Sequence, residues 1–182
     1  MAEQGVRWPL VNNQISSGNL GQNSNVYGAN VRTTGPHQGW DLSAPVGTPI
    51  YAIQNGRVEA SEVSGSYGQR ITIRLDDVEL DGSPVYVMYG HLQSRLVGNG
   101  ETVSRGQLIG YTGITGNANA NNPHLHIELR SNASPGTGMN GRFDPARLYG
   151  NPPMAHTEID CVDCAPTNAN AATPDAANDS AE

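Results

Sequence analysis

The sequence predicts a mainly β protein: an antiparallel sheet or sandwich with a loop-lined groove and little helix. Three observations predict it. The 182 residues include 22 glycines and 12 prolines but one phenylalanine, which suits short strands joined by many turns. Apolar and polar residues alternate over short runs in the middle of the chain. No stretch carries the 3.6-residue apolar period of an amphipathic helix. Apolar residues make up 36% of the chain, enough for one modest core.

The elements follow in order. Residues 1–36 read as an irregular N-terminal entry segment, because "NNQISSGNLGQNSN" is rich in Gly, Ser and Asn and follows neither period. "TPIYAI" (48–53) and "RVEASEV" (57–63) flank Gln54–Asn55–Gly56, and Asn-Gly predicts a hairpin between them. In "QRITIRL" (69–75), Ile71, Ile73 and Leu75 alternate with Thr72 and Arg74. "DDVELDGS" (76–83) reads as a turn region. "PVYVMYGHL" (84–92) is the next strand, with Val85, Val87, Tyr89 and His91 on one face and Tyr86, Met88 and Gly90 on the other. "GQLIGYTG" (106–113) and "PHLHIELR" (123–130) complete the set. Residues 37–150 are thus expected to form the one folded domain.

Residues 151–182 change character. "TNANAATPDAANDSAE" has almost nothing to bury, so an acidic, disordered tail is expected. That tail holds six acids and no base, while the first 150 residues carry 11 acids and ten arginines. The near-neutral body, without an arginine cluster in sequence, argues against a nucleic-acid partner. The two cysteines lie in the tail as "CVDC" (161–164). One C-x-x-C gives two ligands where structural zinc takes four, so the pair reads as thiols outside the chemistry. No stretch approaches the ~20 apolar residues of a membrane span. The start, "MAEQGVRWPL", lacks the apolar run of a signal peptide.

Four of the five histidines form a candidate constellation: His37, His91, His124 and His126, together with Asp41. His124 and His126 are two apart on a strand and so share a face. Glu128 shares it too, as a rival base or, more simply, a hydrogen-bond or rim charge. His37 and Asp41 in "HQGWD" are four apart; Pro36 and Gly39 oppose a helix there, and on a straight strand the two would lie roughly 13 Å apart. A bend near Gly39 lets them converge. Any one of these histidines reads equally well as an inert core group. Taken together they point to a metal, since catalytic zinc commonly takes three protein ligands and leaves a position open. Trp40 and Tyr89 have two readings, as cleft wall or as core; Tyr67 and Tyr111 read as core or surface. The Gly- and Asn-rich "GITGNANANNP" (113–123) suits either a cleft wall or a plain connection.

The motifs also resemble a known family, in order from about 37 to 130. "HQGWDLSAPVGTPIYAIQNGRV" resembles the opening of the lysostaphin-type zinc endopeptidases, "YGHL" their second histidine motif, "VSRGQLIGYTGITG" the turn and strand that follow, and "PHLHIELR" their H-x-H motif. The resemblance implies that His37, Asp41 and His126 bind zinc (Zn2+). It implies that His91 and His124 are the non-ligand catalytic histidines. It implies a substrate in the peptide part of bacterial peptidoglycan, cut at cross-links or stem peptides. The alternatives are a catalytically inactive member serving as a binding or activator module, and a zinc peptidase acting on proteins. The signal-free start is expected to mean either delivery to the periplasm or cell wall by another route, as a secreted antibacterial toxin or a phage lysis enzyme, or, equally, a sequence given without its leader. A toxin implies an immunity protein as partner.

Overall fold

The computed structural model describes residues 5–30, 33, 35–155 and 157–158. The C-x-x-C pair and most of the acidic tail lie outside them. The strands, in chain order, are β1 (Asn12–Asn13), β2 (Trp40–Ser43), β3 (Pro49–Tyr51), β4 (Gly56–Ser64), β5 (Gly68–Leu80), β6 (Ser83–Arg95), β7 (Thr102–Val103), β8 (Leu108–Thr112), β9 (His124–Arg130), β10 (Arg142–Phe143) and β11 (Thr157–Glu158). The one α-helix among the described residues, α1 (Ala146–Tyr149), is a single turn. Nine strands make one antiparallel sheet, whose main path runs β10-β9-β6-β5-β4-β7, with β2 on β9 and β8 joining β3 to β6. β1 and β11 pair separately. No helix among the described residues is long and apolar enough to cross a membrane.

The alternation read from the sequence explains the burial. Ile71 and Ile73 of β5, Val85, Val87 and Tyr89 of β6, and Leu125, Ile127 and Leu129 of β9 all enter one hydrophobic cluster. Eight such side chains, each contributing ~1.5–3 kcal/mol when fully buried, are a large part of what holds the sheet. The entry segment joins them: Leu10 and Ile15 are buried in the same cluster, and Arg7 donates its backbone N–H to the Ile53 carbonyl.

Three expectations are corrected. β3 and β4 do not form a hairpin; β3 pairs with β8, and β4 with β5 and β7. The favoured Asn-Gly hairpin turn needs positive φ at both residues, and neither Asn55 nor Gly56 has it. The side chain of Asn55 instead accepts the Arg105 backbone N–H at 2.7 Å. Secondly, residues 76–80 are strand, not turn. β5 bulges between Arg74 and Glu79, and the turn is Asp81–Gly82 alone, both at positive φ, closing Leu80 against Ser83. The third correction, the facing of His91, belongs to the site.

Candidate metal centre and groove

Strand register builds the centre. Asp41 of β2 lies opposite His126 of β9, and Ser43 opposite His124. Gly90 of β6 faces His126 from the other side. Directly opposed residues share a face, so Asp41, His126 and Gly90 form a row across three strands. His37 reaches this row from the preceding loop. The chain bends at Gly39, where the Ile127 carbonyl oxygen would lie 2.1 Å from any added Cβ; only glycine allows that approach. The expected bend is therefore present. His37 Nε2 lies 3.1 Å from Asp41 Oδ1 and 3.2 Å from His126 Nδ1, and the last two are 2.7 Å apart. All three residues are buried.

His91 arrives by breaking the alternation. On β5 and β6 the pairs Gln69–Leu92 and Ile71–Tyr89 leave Arg70 opposite both Gly90 and His91. This is a β-bulge, and His91 sits in it at φ 63°. The extra residue swings His91 off the Tyr89 face and over the H-x-H face. Its ring lies 4.9 Å from that of His124 and 5.9 Å from that of His126. The shared face for Tyr89 and His91 is thus overturned. Tyr89 is core, its hydroxyl accepting the Ile53 backbone N–H.

Each of the four imidazoles is anchored on one nitrogen. His37 Nδ1 meets the Val26 carbonyl at 3.1 Å, and His91 Nδ1 meets that of Thr115 at 2.9 Å. His124 Nδ1 meets the Asn122 carbonyl at 2.9 Å, and His126 Nε2 meets Glu128 Oε1 at 2.9 Å. A carbonyl or an ionised carboxylate only accepts, so each of these nitrogens carries the hydrogen. The opposite nitrogens point inwards. Two imidazole lone pairs and one carboxylate oxygen therefore converge within 3.2 Å, all acceptors facing acceptors. Only a cation or a proton between them relieves that, and the donor set suits zinc.

The charges respond accordingly. Burial pushes the Asp41 carboxyl up, but hydrogen bonds from His126 and His37 prevail and hold it well below the carboxylate range. Burial likewise opposes charge on His126, yet its bonds to Asp41 and Glu128 carry the imidazole up to about 9. Burial, with the charges of His126 and His124, lowers His91 to about 4, which keeps it neutral at pH 7.

Glu128 is fully buried, so it is no rim charge. Its Oε1 accepts from His126 Nε2 and, at 2.6 Å, from the Tyr67 hydroxyl. Its Oε2 accepts from Arg130 Nε at 2.7 Å and Arg142 Nε at 2.9 Å. A carboxylate behind a ligating histidine fixes its tautomer and aim. Burial raises the Glu128 carboxyl, while His126 and Arg130 outweigh it and hold it below the usual range.

A groove of about 520 Å³ opens over the centre, walled by Gly18–Leu20, Gly35–Gln38, Ser66–Tyr67 and Asn117–Asn119, with Asn122 beside His124. The Gly- and Asn-rich stretch is thus a cleft wall. The entry segment lines the groove too, with Ser16 hydrogen-bonded to Asn122, which sequence reasoning missed. Tyr67 was missed too: its ring lies 5.7 Å from that of His126. Trp40 is core, buried near Trp8 and Tyr149.

A buried His–Asp–His cluster on an antiparallel sheet, overlooked by two more imidazoles in a groove, is the layout of a metallopeptidase. The model of Peptidase family M23 matches residues 35–137, and the chain belongs to that family. Peptidoglycan DD-endopeptidase ShyC of Vibrio cholerae is 43% identical over 96 residues, which are 53% of this chain and 20% of that protein. Peptidoglycan DD-endopeptidase ShyA of the same organism is 35% identical over 111 residues, 61% of this chain and 24% of that one. The chain spans under a quarter of the length of these two relatives. Among solved structures, the catalytic domain of the antimicrobial peptidase lysostaphin from Staphylococcus simulans superposes with a TM-score of 0.59 at 29% identity, covering 69% of this chain and 90% of that one. The catalytic domain of the prophage-encoded M23 protein EnpA from Enterococcus faecalis gives 0.54 at 30% identity, covering 69% and 88%.

Proposed function

We propose that this chain is a zinc endopeptidase that hydrolyses peptide bonds in the cross-links or stem peptides of bacterial peptidoglycan. One observation carries the reading: His37 Nε2, Asp41 Oδ1 and His126 Nδ1 converge at the floor of an open groove, with two further imidazoles beside them. These three atoms would hold zinc. When bound, zinc polarises the scissile carbonyl and makes water a competent nucleophile near neutral pH.

The remaining steps belong to the chain. His91 and His124 each present an unprotonated Nε2 to the groove, because Thr115 and Asn122 hold the hydrogen on Nδ1. That pair accepts the proton of the attacking water and returns one to the leaving amine, the work of general acid–base groups. Once protonated, the same imidazoles stabilise negative charge on the carbonyl oxygen. The asparagine-lined walls offer donors and acceptors to an extended peptide backbone. The named activity of the two Vibrio cholerae relatives supports a wall substrate and action outside the cytoplasm.

The test is a digest of purified sacculi with and without a chelator. Soluble muropeptides that disappear on chelation and return with zinc are expected. Intact sacculi together with cleavage of unrelated proteins would overturn the substrate assignment.

A further inference from the structure

A second hollow, of about 180 Å³, shares Tyr67 with the groove and is lined also by Arg70, Arg130, Ser134, Gly136 and Arg142. Three guanidinium groups meet there. Arg130 is 1% exposed and Arg142 8%. The Arg70 side chain is 12% exposed.

Their donors are unequally used. Arg142 gives Nε to Glu128 and its other nitrogens to the carbonyls of Gly136, Gly138 and Asn140. Arg130 gives Nε to Glu128 and Nη1 to the Ala133 carbonyl. Arg70 gives Nε and Nη2 to Glu62. Arg130 Nη2 and Arg70 Nη1 therefore make no hydrogen bond among the described residues, and both residues line the hollow. Both guanidinium carbons lie near the Tyr67 ring, at 5.4 Å and 5.9 Å from its centroid. Planar N–H donors gathered in a small, half-dry hollow match a carboxylate, which accepts two at once.

The hollow also adjoins the chemistry. Tyr67 lines both it and the groove. Arg130 lies four residues beyond His126 on β9, roughly 13 Å at the rise of a strand. A peptide lying in the groove with its reacting bond at the centre has side groups at that range.

We propose that this hollow is a carboxylate subsite that holds an acidic group of the peptide substrate, to one side of the bond that is cut. The peptidase reading identifies whose carboxylate it is; the binding itself does not depend on cleavage. The test is calorimetric titration of the full chain with the wall tripeptide Ala–D-Glu–diaminopimelate, its fully carboxamidated analogue, and inorganic phosphate. The free acid is expected to bind at least about tenfold tighter than the amide, as one charge-assisted hydrogen-bonded pair warrants. Arg70→Ala is expected to bring the two within about threefold, and Arg70→Lys to fall between. Equal affinity of acid and amide for the unmodified chain overturns the proposal without any variant. So does a preference that Arg70→Ala leaves intact, or phosphate binding tighter than the tripeptide. A failed sacculus digest with a retained acid preference would sink the peptidase reading and keep the subsite.

Discussion

The floor and the walls of the groove are built on opposite terms. The floor is sheet: Asp41, His124 and His126 stand on β2 and β9, fixed by a continuous register from Trp40–Ile127 to Ser43–His124. The walls are loops, drawn from the entry segment, the approach to His37, the short turn before β5 and the asparagine-rich stretch. Asp41 and His126 spend their polar atoms on buried partners, whereas Asn117 and Asn119 of the wall are exposed. Ligand geometry tolerates errors of a few tenths of an ångström, which strands supply and loops do not. Substrate selection needs variety, which loops supply.

That contrast can be broken at the floor with the largest effect. His126→Ala is expected to remove the bound metal and reduce hydrolysis to background together, read by elemental analysis and muropeptide release. His91→Ala is expected to keep the metal while kcat falls on the order of 10²–10⁴-fold, the usual scale for a lost acid–base group; metal loss in that variant would make His91 a ligand and redraw the centre. Glu128→Gln probes the layer beneath. Metal affinity measured by chelator competition should weaken about 10–100-fold. Its melting temperature should fall as well, because Arg130 and Arg142 lose a buried counter-charge. At the wall, Asn119→Ala should raise KM about 2–10-fold with kcat unchanged, the worth of one neutral hydrogen bond. A kcat effect there equal to that of His91→Ala would erase the distinction between floor and wall.

Much of the floor was legible in the sequence because it depends on short-range rules. Alternation put His124 and His126 on one face, and Gly39 marked the bend that brings His37 to Asp41. The family resemblance then implied their roles. The illegible parts depend on departures from regularity or on distant partners. His91 faces the centre only because a bulge inserts a residue, and nothing in "YGHL" announces a left-handed backbone. The burial of Glu128 depends on Arg142, fourteen residues away across β10. Tyr67 sits in a turn with no periodicity to orient it. The Asn-Gly hairpin failed because β8, about a third of the chain further on, pairs with β3 instead. The entry segment gave no period, yet Leu10 and Ile15 are core.

The three candidate ligands come from a loop, a strand and a second strand about 85–89 residues later. An ion can settle only after those distant stretches have met, and a slip of one residue between β2 and β9 would turn Asp41 away from His126. Occupancy is therefore a certificate that the sheet has closed correctly. With that ligand set, a chain still being made would have nowhere to seat the ion.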